Sequence, residues 1–276
     1  MTAMNLHRYP SPSGGFALGK MGVGATLMSA AKTARDYVQS GLAAMWDGIE
    51  NAGWGVHDAT ATTWKDLVGG FDAVKVGSPT WSDNAGNTID VNSTFLATIP
   101  TQSTFINAAK SGFVTVEICL STSASWASRC PFSIEDSNGT SSVYRFVQIF
   151  MQASKTYLPA PYNISATEFI GAGPILDDPS GTISCSFGPN GTRIYATPSR
   201  NGTIGTEVSA PIGLAFIFDP ATLDQIGVNN WYVRIGRTHN NSMSSAFHSI
   251  RIYSRALTAD EIAANYAIDK ERFNLP

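Results

Sequence analysis

From Ser40 onward the chain repeats one pattern: short runs of alternating apolar and polar residues, cut off by turn-forming clusters. "GLAAMWDG", "FDAVKVG", "NTIDVN", "GFVTVEICL", "SVYRFVQIFM", "TISCSF", "TRIYAT", "LAFIFD", "WYVRIGR" and "FHSIRIYS" each have the length and period of a strand, and Asn-Gly turns separate several of them. Many strands at close spacing, with essentially one helix and no repeat of fixed period, predict an antiparallel sandwich or barrel around a single core. At 276 residues the chain is long enough to bury that core.

The exception to the pattern comes at the end. In "FHSIRIYSRALTADEIAANYAIDKERF", residues 247–273, His248, Ile250 and Ile252 alternate with Ser249, Arg251 and Tyr253, which assigns one set to each face of a strand. The period then becomes helical. Thr258 and Glu261 stand in a capping-box relation, Leu257 and Ile262 form the flanking staple, and Asp260 and Glu261 suit the positive end of a helix dipole. Ile262, Tyr266 and Phe273 fall close to one face, which predicts a helix docked on the strands.

Charge narrows the function. Only 14% of residues are charged and the net charge is −3, so there is no basic footprint for nucleic acid or an anionic membrane. No apolar run reaches the length of a membrane span, and no signal peptide is recognised at the N-terminus. Cys119, Cys130 and Cys185 lack metal-like or redox-like spacing and read as buried free thiols. Of the Asn-x-Ser/Thr triplets at Asn92, Asn138, Asn163, Asn190, Asn201 and Asn240, the Asn-Gly members read as tight turns. Residues 1–37 differ in composition from the rest: "YPSPSGG" and scattered glycines suggest an extended arm, and "ATLMSAAKTARDYVQ" a short helix. The domain expected after this arm runs over 38–276.

The C-terminal stretch "FHSIRIYSRALTADEIAANY" resembles the closing signature of LamG-like members of the concanavalin A-like lectin/glucanase superfamily, in which a last strand runs into a short helix. "GLAAMWDGIENAGWGVHDATATTWKDLVGG", with its W-x-D-L segment, looks like the matching start, and the resemblance covers roughly residues 40–270. It implies an all-β, two-sheet antiparallel jelly roll whose first and last strands meet, with a short C-terminal helix. Glucanases on this fold use closely spaced carboxylates on one strand. Here Glu117 stands alone, Glu135 and Asp136 precede a turn-like "SNG", and the histidines His7, His57, His239 and His248 have no evident partners. The chain is therefore expected not to be an enzyme.

The loop "WDGIENAGWGVHDATATTW", residues 46–64, is the most promising exposed segment. Its oxygen donors Asp47, Glu50, Asn51 and Asp58 are candidate calcium ligands, since calcium takes six to eight oxygens and LamG-like relatives bind it near a sandwich rim. Sugar recognition needs an aromatic face with hydrogen-bonding groups around it. Trp54, His57, Trp81, Trp126, Asn240 and Asn241 are the candidates for that surface. The expected function is a carbohydrate- or surface-recognition module on a phage virion, as a capsid decoration, head fibre or tail protein. In that setting residues 1–37 join virion proteins, the ligand is a host or mucosal glycan, and like subunits assemble. A virion scaffold without ligand, a bacterial cell-surface lectin and, last, a diverged glycoside hydrolase are the alternatives.

Overall fold

The protein is described from a computed structural model. The described residues are 31–82, 86–89, 94–100, 103–121, 129–135, 144–151, 157–163, 180–191, 193–211, 230–236 and 245–275. All but Ala31 belong to a body that begins at Lys32. In chain order its strands are β1 (Leu42–Asp47), β2 (Thr63–Trp64), β3 (Ala73–Val76), β4 (Thr80–Ser82), β5 (Gly86–Ile89), β6 (Thr94–Pro100), β7 (Val114–Ser121) and β8 (Arg129–Glu135). They continue with β9 (Tyr144–Met151), β10 (Tyr157–Asn163), β11 (Gly181–Asn190), β12 (Arg193–Arg200), β13 (Thr203–Ile204), β14 (Val208–Pro211), β15 (Asn230–Ile235) and β16 (Ser245–Tyr253).

Two antiparallel sheets result. The first runs β13-β12-β11-β7-β16-β5-β4, with β1 also on β16 and β14 on β12, and the second runs β10-β9-β8-β15-β6-β3-β2. Their facing sides supply one core, in which Trp46, Trp64, Phe95, Ile118, Phe132, Trp231, Ile250 and Ile252 are sealed from solvent. The fold is thus the two-layer antiparallel sandwich expected. The first and last strands meet inside it: β1 pairs with β16 so that Ala44 faces Ile252 and Trp46 faces Ile250.

The terminal helix forms as its sequence dictates. Helix α2 (Ala259–Phe273) follows α1 (Thr104–Ser111) in chain order, and its Thr258 side chain accepts from the Glu261 amide while the Glu261 carboxylate accepts from the Thr258 amide. Arg255 adds a two-pronged ion pair to Glu261, and together with Thr258 it holds that carboxyl down at about 2. Leu257, Ile262 and Phe273 are buried, worth roughly 1.5–3 kcal/mol per side chain, and Tyr266 is half-buried.

Several expectations are corrected. Helix α1 was not foreseen; Ser103 caps it and Phe105, Ile106 and Ala109 bury its inner side. The only helix among the described residues of the "ATLMSAAKTARDYVQ" stretch is one 3-10 turn, Ala34–Asp36. Lys32–Tyr37, assigned to the arm from sequence, are part of the body, with Ala34 and Tyr37 buried. His248 does not share a face with Ile250. A bulge between Phe247 and Ser249 breaks the alternation, leaving Phe247, Ile250 and Ile252 in the core while His248 stacks on Phe273 of α2 with ring centroids 4.9 Å apart. The tight-turn reading holds at Asn201-Gly202, where φ values of 46° and 77° at the two central residues of the β12–β13 hairpin make a type I′ turn. Cys119 and Cys185 are buried free thiols, as expected.

Candidate functional site

The outer side of the first sheet is unusually polar where α2 covers it. Register sets Met45, Arg251, Glu117 and Ser184 in one cross-strand row, and Asp47, Ser249, Cys119 and Thr182 in the next. Arg251 donates through Nη1 and Nη2 to the two oxygens of Asp269 on α2, at 2.8 and 2.7 Å, and through Nε to Glu117 at 3.0 Å. Asp269 also accepts from the Tyr37 hydroxyl at 2.6 Å and from Thr182 at 2.7 Å, while Asn265 donates to Glu117 at 2.7 Å. All of these groups are buried. Burial pushes the Glu117 carboxyl above its ordinary range against the pull of Arg251. At Asp269 burial acts the same way, but Arg251 and the hydroxyl donors outweigh it and hold the carboxyl below the ordinary value of 3.8. Glu117, isolated in its own strand sequence, is therefore paired in space. Glu135 is likewise not a turn residue: it ends β8, fully buried, 3.0 Å from the Arg234 guanidinium.

The same helix reaches the base of the loop between β1 and β2. Asp47 closes β1 and accepts from the amides of Ile49 and Glu50, which turns the chain out of the strand. Arg272 grips both Asp47 oxygens, at 2.6 and 3.0 Å, and touches Glu50 at 3.3 Å. Burial raises the Asp47 carboxyl and Arg272 opposes the rise. Glu50 in turn accepts from the Ala34 amide at 2.9 Å and the Gly55 amide at 2.8 Å. Fully buried Asn51 clasps Asp58 through both of its side-chain ends, each at 2.8 Å. His57 Nδ1 lies 3.1 Å from the Ile49 carbonyl; a carbonyl only accepts, so that nitrogen carries the proton. Asp58 accepts from the side chain and amide of Thr60, which hold its carboxyl low. The result is a loop fixed at its base whose tip presents Val56, 51% exposed, together with exposed His57 and Asp58.

The sequence candidates are distributed unevenly over this geometry. Trp54 is half-buried on the cluster of Ala34, Tyr37 and Met45, and the Arg35 guanidinium lies 4.2 Å over its ring. Trp81 donates to the Ala61 carbonyl at 2.7 Å and packs edge-on against Trp64, so it anchors the far end of the loop from the core side. Trp126, Asn240 and Asn241 lie outside the described residues. Of the four candidate calcium ligands, Asp47 and Glu50 are matched to Arg272, and Asn51 and Asp58 to each other and to Thr60. The Arg272 guanidinium thus balances the buried Asp47 and Glu50 carboxylates. Among the described residues no three His, Cys, Asp or Glu side chains gather as metal ligands. Sequence reading missed Arg35 and Arg272, whose roles depend on α2 and the 3-10 turn lying beside a loop distant in the chain.

No protein-family model matches the chain. No curated protein matches it either. Among solved structures, Trypanosoma rangeli sialidase in complex with 2,3-difluorosialic acid is similar, with a TM-score of 0.52 and 12% identity over 82% of this chain and 33% of that one. The same sialidase in complex with sialic acid gives 0.50 at 11% identity, over 82% and 32%. The CBM40 of Ruminococcus gnavus IT-sialidase bound to α2,3-sialyllactose gives 0.41 at 15% identity, over 58% of this chain and 85% of that one. The chain spans about a third of the length of the sialidases it resembles. At these identities the likeness is one of fold alone, that of a two-sheet antiparallel β-sandwich.

Proposed function

We propose that this chain is a non-catalytic carbohydrate- or surface-recognition module of a phage virion, a capsid decoration, head fibre or tail protein that binds host or mucosal glycans and is tethered through its N-terminal arm. The observation that carries the reading is the loop after β1. Asp47, Glu50 and Asn51 fix its base, so the exposed tip at Val56 and His57 is ordered before any ligand arrives, and binding costs little further ordering. The sialic acid complex of the similar sialidase is consistent with a sandwich of this type serving glycan-directed proteins. The non-catalytic reading is supported, as far as a two-carboxylate glycosidase goes, by how the buried acids of the described residues are used. Glu117 and Asp269 converge on Arg251, and Asp47 and Glu50 on Arg272, whereas that mechanism sets two carboxyl groups about 5–9.5 Å apart across a sugar.

A second reading, a structural virion component without ligand, is favoured by one specific observation: Arg35 covers Trp54 and Trp81 is turned toward Trp64, which withdraws two aromatic faces from a passing sugar. A panel of bacterial polysaccharides and mucin glycans, probed with and without a calcium chelator, separates the two. The recognition reading expects binding that falls at least about tenfold in Trp54→Ala and His57→Ala and is indifferent to chelator. A panel without a hit leaves the structural reading, and binding abolished by chelator brings calcium back.

A further inference from the structure

At the other end of β1 from the loop lies a pocket of about 360 Å³, between the start of β1, the segment after β2 and the first turn of α1. It is a built feature. Asp66 accepts from the amides of Met45, Val68, Gly69 and Phe71, which bends the chain into its wall, and the Trp46 indole holds the Phe71 carbonyl at 3.1 Å. Gly69 is needed at that bend, since a Cβ there would come within 2.3 Å of the Ala43 carbonyl oxygen and 2.7 Å of the Phe71 ring.

We infer that this pocket is a binding site for a neutral pyranose. The chemistry of the lining carries the inference. Half-buried Phe71 and Leu42 supply apolar wall, which suits the C–H face of a sugar ring. The Thr104 hydroxyl is exposed at the start of α1, and Ser254 donates its hydroxyl to the Gly41 carbonyl, so its oxygen retains lone pairs to accept from a sugar hydroxyl. None of the residues lining the pocket is charged, so no side chain there pairs with a carboxylate or a sulfate. The volume lies at the small end of ligand pockets, which suits one sugar unit. This inference rests on the glycan-recognition reading but concerns a different surface from the loop.

Saturation-transfer NMR on the full chain tests it, with the methyl glycosides of glucose, galactose and N-acetylglucosamine as probes and N-acetylneuraminic acid as the anionic counterpart. At least one neutral glycoside is expected to bind, roughly tenfold more weakly in Thr104→Ala and not detectably in Val68→Glu, which sets a charge at the pocket's mouth. Val68 is 42% exposed and Thr104 is exposed, so both variants are expected to keep the wild-type thermal midpoint. The site is refuted if no neutral glycoside binds, if both substitutions leave binding unchanged, or if the acidic sugar binds as well as the neutral ones. Polysaccharide binding that is lost in His57→Ala but intact in Val68→Glu would leave the loop's role standing without the pocket.

Discussion

Asp269 draws four buried polar side chains together. It accepts from Tyr37, from Thr182 on β11, and from Ser249 and Arg251 on β16, three segments far apart in the chain. Asp269→Asn would keep the shape but leave Arg251 with only Glu117 to balance it, and removing one member of a buried ion pair costs about 3–5 kcal/mol. Because the folded carboxyl sits below its ordinary 3.8, its contribution is complete above that pH and is lost as pH falls through the lower folded value. Urea titrations should therefore find the variant weaker at pH 7, with the gap to wild type narrowing below about pH 4; a constant gap would refute the assignment. Nothing local announces this residue. In "NYAIDKERF" an aspartate reads as the solvent side of a helix, and only the register of β7, β11 and β16 brings its partners beneath it.

The loop after β1 is an element held from three directions, and Glu50 is where they meet. One of its oxygens receives Ala34 and Arg272, the other Gly55. Glu50→Gln is expected to speed hydrogen exchange in 53–57 and 34–37 together by an order of magnitude or more, with β7 and β16 unchanged. Exchange that rises in only one of the two segments would refute the coupling. Elements differ in how openly they state themselves. The cap of α2 was legible because Thr258, Glu261, Leu257 and Ile262 interact within a few residues of one another. Helix α1 was not, since its eight residues are short of a clear period and its inner face uses small Ala109 beside Phe105 and Ile106. The surroundings of the site candidates were hidden in the same way: Trp54 and Trp81 stand in polar sequence, but the Arg35 guanidinium over one ring and the Trp64 ring against the other come from other segments.

At the scale of the whole molecule, the pairing of β1 with β16 closes the sandwich, and the segment just before β1 is sewn to α2. Val38 donates to Asn265 at 3.0 Å and Tyr37 to Asp269, so the body's true start is set by side chains and not by composition. A protein beginning at Val38 is expected to be less stable than one beginning at Lys32 by roughly 2–5 kcal/mol, through the lost burial of Ala34 and Tyr37. Equal stability of the two truncations in chemical denaturation would contradict that. The sandwich itself was legible in strand period and in the C-terminal motif, while short β2, β4 and β13 escaped notice because two or three residues carry no period.

The Lys32 amide lies 3.4 Å from the Glu271 carboxylate, in the last turn of α2. Entry and exit of the body are thus neighbours, and such a unit can be spliced into a surface loop of a carrier without prying that loop's stems apart.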